Sequence, residues 1–335
     1  MKLPLVIGHR GVMGIVPENS VSGFKKAVEL GIDGVELDVH LTRDKKLVVI
    51  HDKNLNNLTG PNGNIKDFTY KELKEYDISL PFNDKLGTLF QNYPSEKLYL
   101  LELFAIGQNK FYLNAFEEFS RKRTSFFLHW NGQQFDVVKK LLFPKYFGTK
   151  IAFEELKIER DSLFELQGSR MRKYSAEPIP LLEEVLEITR DKLFVNIEIK
   201  EGEKYYPGII EEVIKKTRNF RNEEILFSCF DRDTILLLKK RYPDVLANGL
   251  CNGLFIGKKY VNNLNGLNPY YKLVKKKYIS YMHNAKKTVY VWTINHEIDM
   301  LQFILYGVDG IISNYPQILK KVNEVSNAMI MAAFS

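Results

Sequence analysis

Two short stretches near the start of the chain combine residue types that could carry out chemistry. His9 and Arg10 follow one apolar run, Glu36 and Asp38 lie two positions apart within a second, and His51 ends a third. Imidazole titrates near neutral pH, so a histidine pair can remove one proton and donate another. Beside carboxylates that could hold a metal ion, such a pair favours metal-assisted cleavage of a phosphodiester.

A third carboxylate, Glu198, comes much later in the chain, with Lys200 two positions beyond it. Side chains alternate along a strand, so Glu36 shares a face with Asp38, and Glu198 shares one with Lys200. Any single acid could instead form a buried salt bridge with Arg10 or Lys200. Three carboxylates without clustered cysteine or imidazole suit a hard cation, and we predict one divalent ion, Mg²⁺ or Ca²⁺, on Glu36, Asp38 and Glu198.

Other side chains are candidates for binding the substrate. Arg10 and Lys200 could contact the non-bridging phosphate oxygens, where charge grows during cleavage, and could pair with the acids as well. Asp52 and Glu18 could orient a histidine or the arginine, or could cap helices. Trp292 closes an apolar run and could be core or an apolar wall of a small pocket. The histidines left without a role are His40, His129, His283 and His296.

The elements that must position these residues read as alternating strands and helices. Short apolar runs alternate with amphipathic stretches, which is the pattern of a parallel sheet. The predicted strands are Leu5–Gly8, Val35–Leu41, Leu193–Ile199, Ile225–Cys229, Val245–Leu250, Val261–Leu267, Val289–Thr293 and Val308–Ile312. Eight such strands close a TIM (β/α)8 barrel, an α/β fold whose active sites lie at the carboxyl ends of the strands.

Capping residues predict where helices begin. Asn19 or Ser20 could cap a helix that runs through Leu30. Asp231 could cap a helix through Arg241, and Asn295 could cap one ending near Tyr306. Each of these side chains can accept a hydrogen bond from the first turn.

A long segment interrupts the barrel pattern. Residues 1–60 and 179–325 are predicted to form the barrel, residues 61–178 an insertion subdomain after the second strand near the catalytic face, and residues 326–335 a C-terminal tail. The insertion is rich in Phe, Tyr and Leu, so it should fold. Its apolar runs are Leu98–Phe104, Ser125–Trp130 and Lys150–Phe153, with helix-like stretches between them. A faint echo of residues 180–250 leaves a degenerate βαβ copy open.

Composition and charge bound the cellular setting. Two cysteines, Cys229 and Cys251, offer no disulfide framework, which favours a reducing compartment, the cytoplasm. The start of the chain has no room for a signal peptide, and no run of about 18 apolar residues predicts a membrane span. The net charge of +7 arises from lysine clusters that suit a phosphate-bearing substrate or anionic lipid headgroups. Peripheral membrane contact and oligomeric state stay open, and no nucleic acid partner is indicated.

Several blocks of this sequence resemble the glycerophosphodiester phosphodiesterase family. The blocks are His9–Gly11, Pro17–Asn19, Gly31–Asp38, Thr42–Asp44, Val48–Asp52, Asn196–Lys200, Trp292–Asn295 and Gly307–Ser313, in the family's order. They cover residues 4–60 and about 179–320.

The resemblance implies a TIM barrel that hydrolyses glycerophosphodiesters to sn-glycerol 3-phosphate and an alcohol with a divalent cation. It implies that His9 and His51 form an acid–base pair and that Glu36, Asp38 and Glu198 bind the metal. It also implies that Arg10 and Lys200 hold the phosphate and that Trp292 borders the glycerol pocket.

Three departures from the family pattern are visible. Cys229 stands where the family often has a second serine, Asn314 replaces an acid, and the insertion is longer than usual. The insertion leaves substrate identity open, and a lysophospholipase D acting on a lysolipid is the nearest alternative. A phosphotransferase that releases a cyclic phosphate, or a barrel that only binds phosphodiesters, would be further alternatives.

Overall fold

The computed structural model contains two sheets. It describes residues 3–58, 60–79, 81, 98–107, 110–117, 122–130, 135–142, 164–165, 176–253 and 258–334. In chain order the strands are Leu5–Gly8 (β1), Gly34–Leu41 (β2), Leu47–Val49 (β3), Leu98–Gly107 (β4), Lys110–Glu117 (β5), Lys122–Trp130 (β6), Phe135–Leu142 (β7), Phe164–Glu165 (β8), Phe194–Ile199 (β9), Ile225–Cys229 (β10), Leu246–Cys251 (β11), Gly266–Pro269 (β12), Thr288–Val291 (β13) and Gly310–Ser313 (β14).

Eight of the described strands close a parallel barrel. The order is β1-β2-β9-β10-β11-β12-β13-β14, and β14 pairs with β1 again, as in the partners Ile7 and Ile312. β3 adds to the outside of this order as an antiparallel partner of β2. The predicted TIM barrel is confirmed, and the carboxyl ends of its strands lie together at one end of the barrel.

The helices follow the strands. They are Val21–Glu29 (α1), Tyr70–Leu73 (α2), Leu182–Thr189 (α3), Ile209–Thr217 (α4), Arg232–Arg241 (α5), Lys258–Asn262 (α6), Lys276–Asn284 (α7), Glu297–Tyr306 (α8) and Pro316–Phe334 (α9). Three short 3-10 helices span Ile65–Asp67, Asn222–Glu224 and Tyr271–Leu273.

The predicted strand bounds agree with the structure to within one or two residues at seven of the eight strands. The exception is the prediction Val261–Leu267, since β12 begins only at Gly266 and α6 occupies Lys258–Asn262. Val261 and Leu264 are buried from the helix and the turn that follows it. A short apolar run has no periodicity that separates a buried turn of helix from a strand.

Two of the predicted helix caps are confirmed and one is wrong. Ser20 Oγ accepts a hydrogen bond from Gly23 N at 2.9 Å, and Asp231 Oδ1 accepts one from Thr234 N at 2.8 Å. α8 is capped by His296 instead of Asn295. The Asn295 side chain is already used, because its Oδ1 accepts from the backbone N of Asn314 at 2.9 Å.

Large side chains fill the amino-terminal end of the barrel interior. The rings of Phe194 and Tyr290 meet edge to face with centroids 6.0 Å apart. Glycines on neighbouring strands make room for them, since a Cβ on Gly310 would lie 2.8 Å from the Tyr290 ring. This packed floor leaves the opposite end of the barrel to polar side chains.

The chain divides into two units at points other than those predicted. The first unit is Met1–Ser79 with Ala176–Ser335, and the second is Leu80–Ser175. The boundary moves from 61 to 80 because residues 61–79 help to build the first unit's core. Ile65, Leu73 and Tyr76 are buried there in a cluster with Val48 and Ile179.

The second unit contains an antiparallel sheet with strand order β7-β6-β5-β4-β8. A copied βαβ unit would have parallel strands, so the antiparallel pairing of β4 with β5 differs from that interpretation. β5 occupies a stretch predicted to be helix-like, and Lys150–Phe153 lies outside the described residues. The position of this unit near the catalytic face stays a prediction.

The last helix changes the interpretation of the C-terminus. α9 continues through Phe334, so most of residues 326–335 belong to a helix rather than to a separate tail. Within the described residues, no helix combines the length and the apolar character needed to cross a membrane.

The cap of α5 can be tested by substitution. We expect Asp231→Ala to lower the free energy of unfolding by about 1 kcal/mol, because the N–H of Thr234 loses its partner. Urea unfolding followed by circular dichroism would measure the change. Asp244→Ala, at an exposed position beyond the same helix, is the control, and an equal loss there would contradict the capping role.

Candidate active site

Three carboxylates meet at the carboxyl ends of neighbouring strands. Glu36 and Asp38 point to the same side of β2, and Asp38 is the register partner of Glu198 on β9. One oxygen from each carboxylate lies within 4.8 Å of the others, and all three side chains are buried. The structure thus brings together the three predicted metal ligands across a separation of 160 residues.

Two cationic side chains and an amide surround Asp38. Lys200 Nζ lies 3.4 Å from Asp38 Oδ1 and 2.8 Å from Glu198 Oε1. On the other side, Arg10 Nε lies 3.4 Å from Asp38 Oδ2, and Asn19 Nδ2 donates to the same oxygen at 2.9 Å. The predicted salt bridges are therefore present together with the carboxylate cluster.

Burial and neighbouring charges shift these carboxylates in different directions. Burial raises the pKa of Glu36 well above its usual value, and the charges of Asp38 and Glu198 raise it further. Burial and Asp38 also raise the pKa of Glu198. Burial would raise the pKa of Asp38 too, but Arg10 and Lys200 outweigh it and hold that pKa below the ordinary range.

Arg10 is fixed by contacts along its whole length. Its backbone takes a positive φ of 49°, and its N–H donates to Glu36 Oε2 at 3.0 Å. Its Nη1 donates to both oxygens of Glu18, at 2.9 and 3.0 Å. Glu18 therefore orients the guanidinium, which is one of the two roles that the sequence left open for it.

His9 follows β1 and enters the site from the side of Glu36. Its Nδ1 lies 2.7 Å from Asn314 Oδ1, an oxygen that can only accept, so Nδ1 carries the proton. Nε2 is then unprotonated and carries the lone pair of the ring, and it lies 3.8 Å from Glu36 Oε2. Burial and the charge of Arg10 lower the pKa of His9 to about 3, so the ring is neutral.

His51 occupies the opposite side and is more exposed. Its Nδ1 lies 2.8 Å from Asp52 Oδ1, and this bond lowers the pKa of Asp52. Asn57 Nδ2 donates to the other Asp52 oxygen at 3.2 Å. Asp52 therefore orients the imidazole of His51, the role the sequence suggested for it.

Trp292 lies at the carboxyl end of β13 among aromatic rings. Its indole N–H donates to the carbonyl of Asn268 at 2.7 Å. Its ring centroid is 5.4 Å from that of Tyr270 and 5.7 Å from that of Phe230. The half-buried indole is thus part of an aromatic wall at the same end of the barrel as the carboxylates.

His40, to which the sequence assigned no role, holds the backbone of His51. It is fully buried on the face of β2 that carries Glu36 and Asp38. Its Nε2 lies 3.0 Å from the carbonyl of His51, which can only accept, so Nε2 carries the proton and Nδ1 accepts from the Tyr206 hydroxyl at 2.9 Å. Strand alternation was the available signal for this position.

Asn19 and Asn314 are also site residues that sequence reasoning missed. Asn19 was considered only as a helix cap, and its side chain instead binds Asp38. Asn314 was noted as a departure from the family, and its amide oxygen binds His9. Nothing in their local sequence distinguishes an amide that caps a helix from one that reaches across the barrel.

Comparison with known proteins identifies the family of this chain. The model of the glycerophosphoryl diester phosphodiesterase family matches residues 9–318. The chain belongs to this family. The predicted enzyme class, a phosphoric diester hydrolase, is thereby confirmed.

Relatives of this phosphodiesterase match either nearly the whole chain or a shorter segment of it. A glycerophosphodiester phosphodiesterase of Caldanaerobacter subterraneus subsp. tengcongensis is 29% identical over 321 residues, 94% of this chain and 96% of the relative. The human lysophospholipase D GDPD1 is 49% identical over 85 residues, 25% of each chain. An Oleispira antarctica phosphodiesterase, solved with the product sn-glycerol-3-phosphate, is 20% identical and has a TM-score of 0.63 over 96% of this chain and 97% of its own.

The buried neutral His40 should make the stability of this phosphodiesterase depend on pH. Burial lowers the pKa of His40 to about 4, whereas the unfolded chain takes up the same proton near pH 6.5. The contribution of His40 to the free energy of unfolding is therefore fully present above about pH 6.5 and is lost as the pH falls towards 4. The free energy of unfolding changes through this group by at most about 1.4 kcal/mol per pH unit. In His40→Gln this contribution to the slope should disappear.

Urea unfolding at a series of pH values would measure this slope. His283→Gln is the matched control, because His283 is an exposed histidine paired with Asp309 at the other end of the barrel. An unchanged slope in His40→Gln would contradict the expectation.

Proposed function

We propose that this phosphodiesterase hydrolyses a glycerophosphodiester to sn-glycerol 3-phosphate and an alcohol, using one divalent cation and the two histidines His9 and His51. The observation that carries the proposal is the buried carboxylate trio with Arg10 and Lys200 beside it. Phosphodiester cleavage needs positive charge at the phosphoryl oxygens and proton transfer on either side of phosphorus. The residues at this end of the barrel can supply both.

The donor set fits a divalent cation. Within the described residues, Glu18, Asp38 and Glu198 pair with the side chains of Arg10 and Lys200, whereas Glu36 has no ion pair with a lysine or an arginine. The four acids therefore outnumber the two cations beside them. Burial raises the pKa of Glu36, and the neighbouring charges of Asp38 and Glu198 raise it further. All-oxygen ligands suit Mg²⁺ or Ca²⁺. When bound by Glu36, Asp38 and Glu198, the cation would stabilise charge on the phosphoryl oxygens.

Arg10 and Lys200 would hold the non-bridging phosphate oxygens. Both lie at the edge of the carboxylate cluster, with side chains 16% and 13% exposed, so each remains within reach of a ligand. The Nε–H of Arg10 is buried 3.4 Å from Asp38 Oδ2 but makes no hydrogen bond within the described residues. A phosphate oxygen would satisfy this donor, and charge-assisted bonds of this kind strengthen as charge grows during cleavage.

His9 and His51 would divide the two proton transfers between them. Neutral His9 has an unprotonated Nε2, and Asp52 orients the His51 ring through its Nδ1. One imidazole would take the proton of the nucleophile, a water molecule or a substrate hydroxyl, and the other would donate a proton to the leaving alkoxide. The bond from His40 to the His51 carbonyl keeps His51 facing the cluster.

Trp292 would border the glycerol side of the substrate. Its ring offers an apolar surface next to polar groups, which suits the carbon backbone of a glycerol phosphate. The Oleispira antarctica phosphodiesterase of the same fold was solved with sn-glycerol-3-phosphate, which supports this substrate class.

A lysolipid substrate is the second candidate. The 85-residue match to the human lysophospholipase D GDPD1 favours it, since the identity there reaches 49%. Turnover of lysophosphatidylcholine and glycerophosphocholine, with phosphorus NMR of the products, compares the two substrates directly. A cyclic phosphate among the products would instead indicate that a substrate hydroxyl attacks first.

The thiols support the cytoplasm as the location. Cys229 and Cys251 are free and buried, and Cys229 Sγ donates to the carbonyl of Ile199. Free thiols are the usual state of cysteine in reducing compartments.

Removal of either histidine should slow the chemical step. We expect His9→Ala and His51→Ala each to lower kcat on glycerophosphocholine by about 10² or more, because a proton-transfer group is lost. His283→Ala is the matched control, since it removes an imidazole paired with a carboxylate away from the site. Wild-type rates in both site variants would reject the acid–base assignment. A substrate with a p-nitrophenol leaving group identifies the general acid. This leaving group needs little protonation, so loss of the histidine that acts as the general acid should lower kcat less on this substrate than on glycerophosphocholine.

Cation binding and activity should both depend on the carboxylate trio. Chelation should abolish activity, and Mg²⁺ or Ca²⁺ should restore it. Glu198→Gln should weaken cation binding by more than about tenfold, measured by calorimetry on the stripped protein. Glu187→Gln, on the exposed side of α3, should bind as the wild type does. Equal cation affinity in the two variants would refute the site.

A further inference from the structure

Helix α8 is apolar on both of its faces. Met300, Phe303 and Ile304 are buried against the barrel. On the outside, Ile298 is 71% exposed, Leu301 40% and Leu305 50%. These three positions are three and four residues apart, so they form one stripe along the helix. A surface helix normally presents polar side chains there, and such a stripe marks a surface that contacts something apolar.

The buried face of α8 adjoins the active-site wall. Tyr271 N donates to the carbonyl of Trp292 at 2.9 Å, and the ring of Tyr271 packs 5.9 Å from that of Phe303 on α8. α8 starts just beyond β13, so Ile298 lies at the catalytic end of the barrel. Leu305 lies seven residues further along, about 10 Å towards the opposite end.

The neighbouring loop and first turn of α7 are basic. Lys272, Lys275, Lys276 and Lys277 are exposed, and within the described residues none of their ammonium groups has a carboxylate within 4.0 Å. Two acids lie in the first turn of α8. Glu297 is exposed, and Asp299 is bonded to Tyr271, which leaves the four lysines in excess.

We propose that this surface docks the enzyme onto an anionic phospholipid bilayer. The docking surface consists of the four lysines with Ile298 and Leu301. The lysines would lie against lipid phosphates while the two apolar side chains enter the interface, the combination that holds proteins on membranes. A second copy of this chain is the less suitable occupant, since it carries the same net charge of +7 and would set lysines against lysines.

This inference rests on the proposed function, because membrane docking serves the enzyme only if the site cleaves glycerophosphodiesters. Docking at the catalytic end would bring the carboxylate site to glycerophosphate headgroups at the membrane surface. Binding itself needs no turnover, so it can be measured separately from catalysis.

The test is cosedimentation with vesicles of phosphatidylcholine, with and without phosphatidylglycerol. The wild type should bind the anionic vesicles, and salt should weaken binding by screening. The triple variant Lys275→Glu/Lys276→Glu/Lys277→Glu should lower the partition coefficient by at least about tenfold. The matched control is Lys192→Glu/Lys240→Glu/Lys286→Glu, which makes the same charge change at exposed positions near the opposite end.

The apolar stripe has its own matched pair. Ile298→Asp should weaken binding to anionic vesicles more than Leu305→Asp, because only Ile298 lies at the docking end. Three results would each overturn the proposal. They are an equal loss of vesicle binding in the two triple variants, an equal loss in the two stripe variants, and wild-type binding to neutral vesicles that equals its binding to anionic vesicles. A wild type that dimerises by light scattering and does not sediment with vesicles would overturn it as well.

A soluble substrate separates the two hypotheses. All four variants should turn over glycerophosphocholine at wild-type rates, since none of the changed residues touches the site. If the wild type binds anionic vesicles but turns over neither glycerophosphocholine nor lysophosphatidylcholine, the proposed function fails and the docking surface stands. If it turns over glycerophosphocholine but does not bind vesicles, the docking surface fails and the proposed function stands.

Discussion

The negative charge around Asp38 constrains the whole catalytic end of this barrel. Three carboxylates buried within 4.8 Å of one another would repel strongly without compensation. Arg10 and Lys200 approach Asp38 from opposite sides, and Asn19 adds a hydrogen bond. These contacts use the loop after β1 and the end of β9, so both must keep their conformations for the cluster to persist. The remaining negative charge is what a divalent cation would neutralise.

Each histidine of the site is held by a different mechanism, and the difference bears on its chemistry. His9 is buried and has its tautomer set by Asn314. His51 is more exposed and is set by Asp52 at its ring and by His40 at its backbone. Burial makes the His9 imidazole costly to charge and lowers its pKa to about 3. The environment thus separates two residues that the sequence presents as equivalent.

The same end of the barrel combines a polar centre with an apolar and basic border. The ring contacts from Trp292 through Tyr270 and Tyr271 to Phe303 join the wall of the site to α8. The barrel floor, where Phe194 packs on Tyr290, is closed by large side chains. Substrate therefore has to approach from the carboxyl ends of the strands, past this border.

The sequence by itself determined most of the strand pattern and the family, because strand alternation and motif spacing are local properties. It predicted eight strands and the metal trio, yet it misread Val261–Leu267, since buried helix turns and strands share apolar runs. Only the tertiary structure decided the partner of His9 and assigned His40 and Asn314 to the site. Those bonds cross from one strand end to another, and a hydrogen bond between residues far apart in the chain leaves no local pattern. The same is true of residues 61–79, whose place in the hydrophobic cluster around Val48 and Ile179 follows from packing.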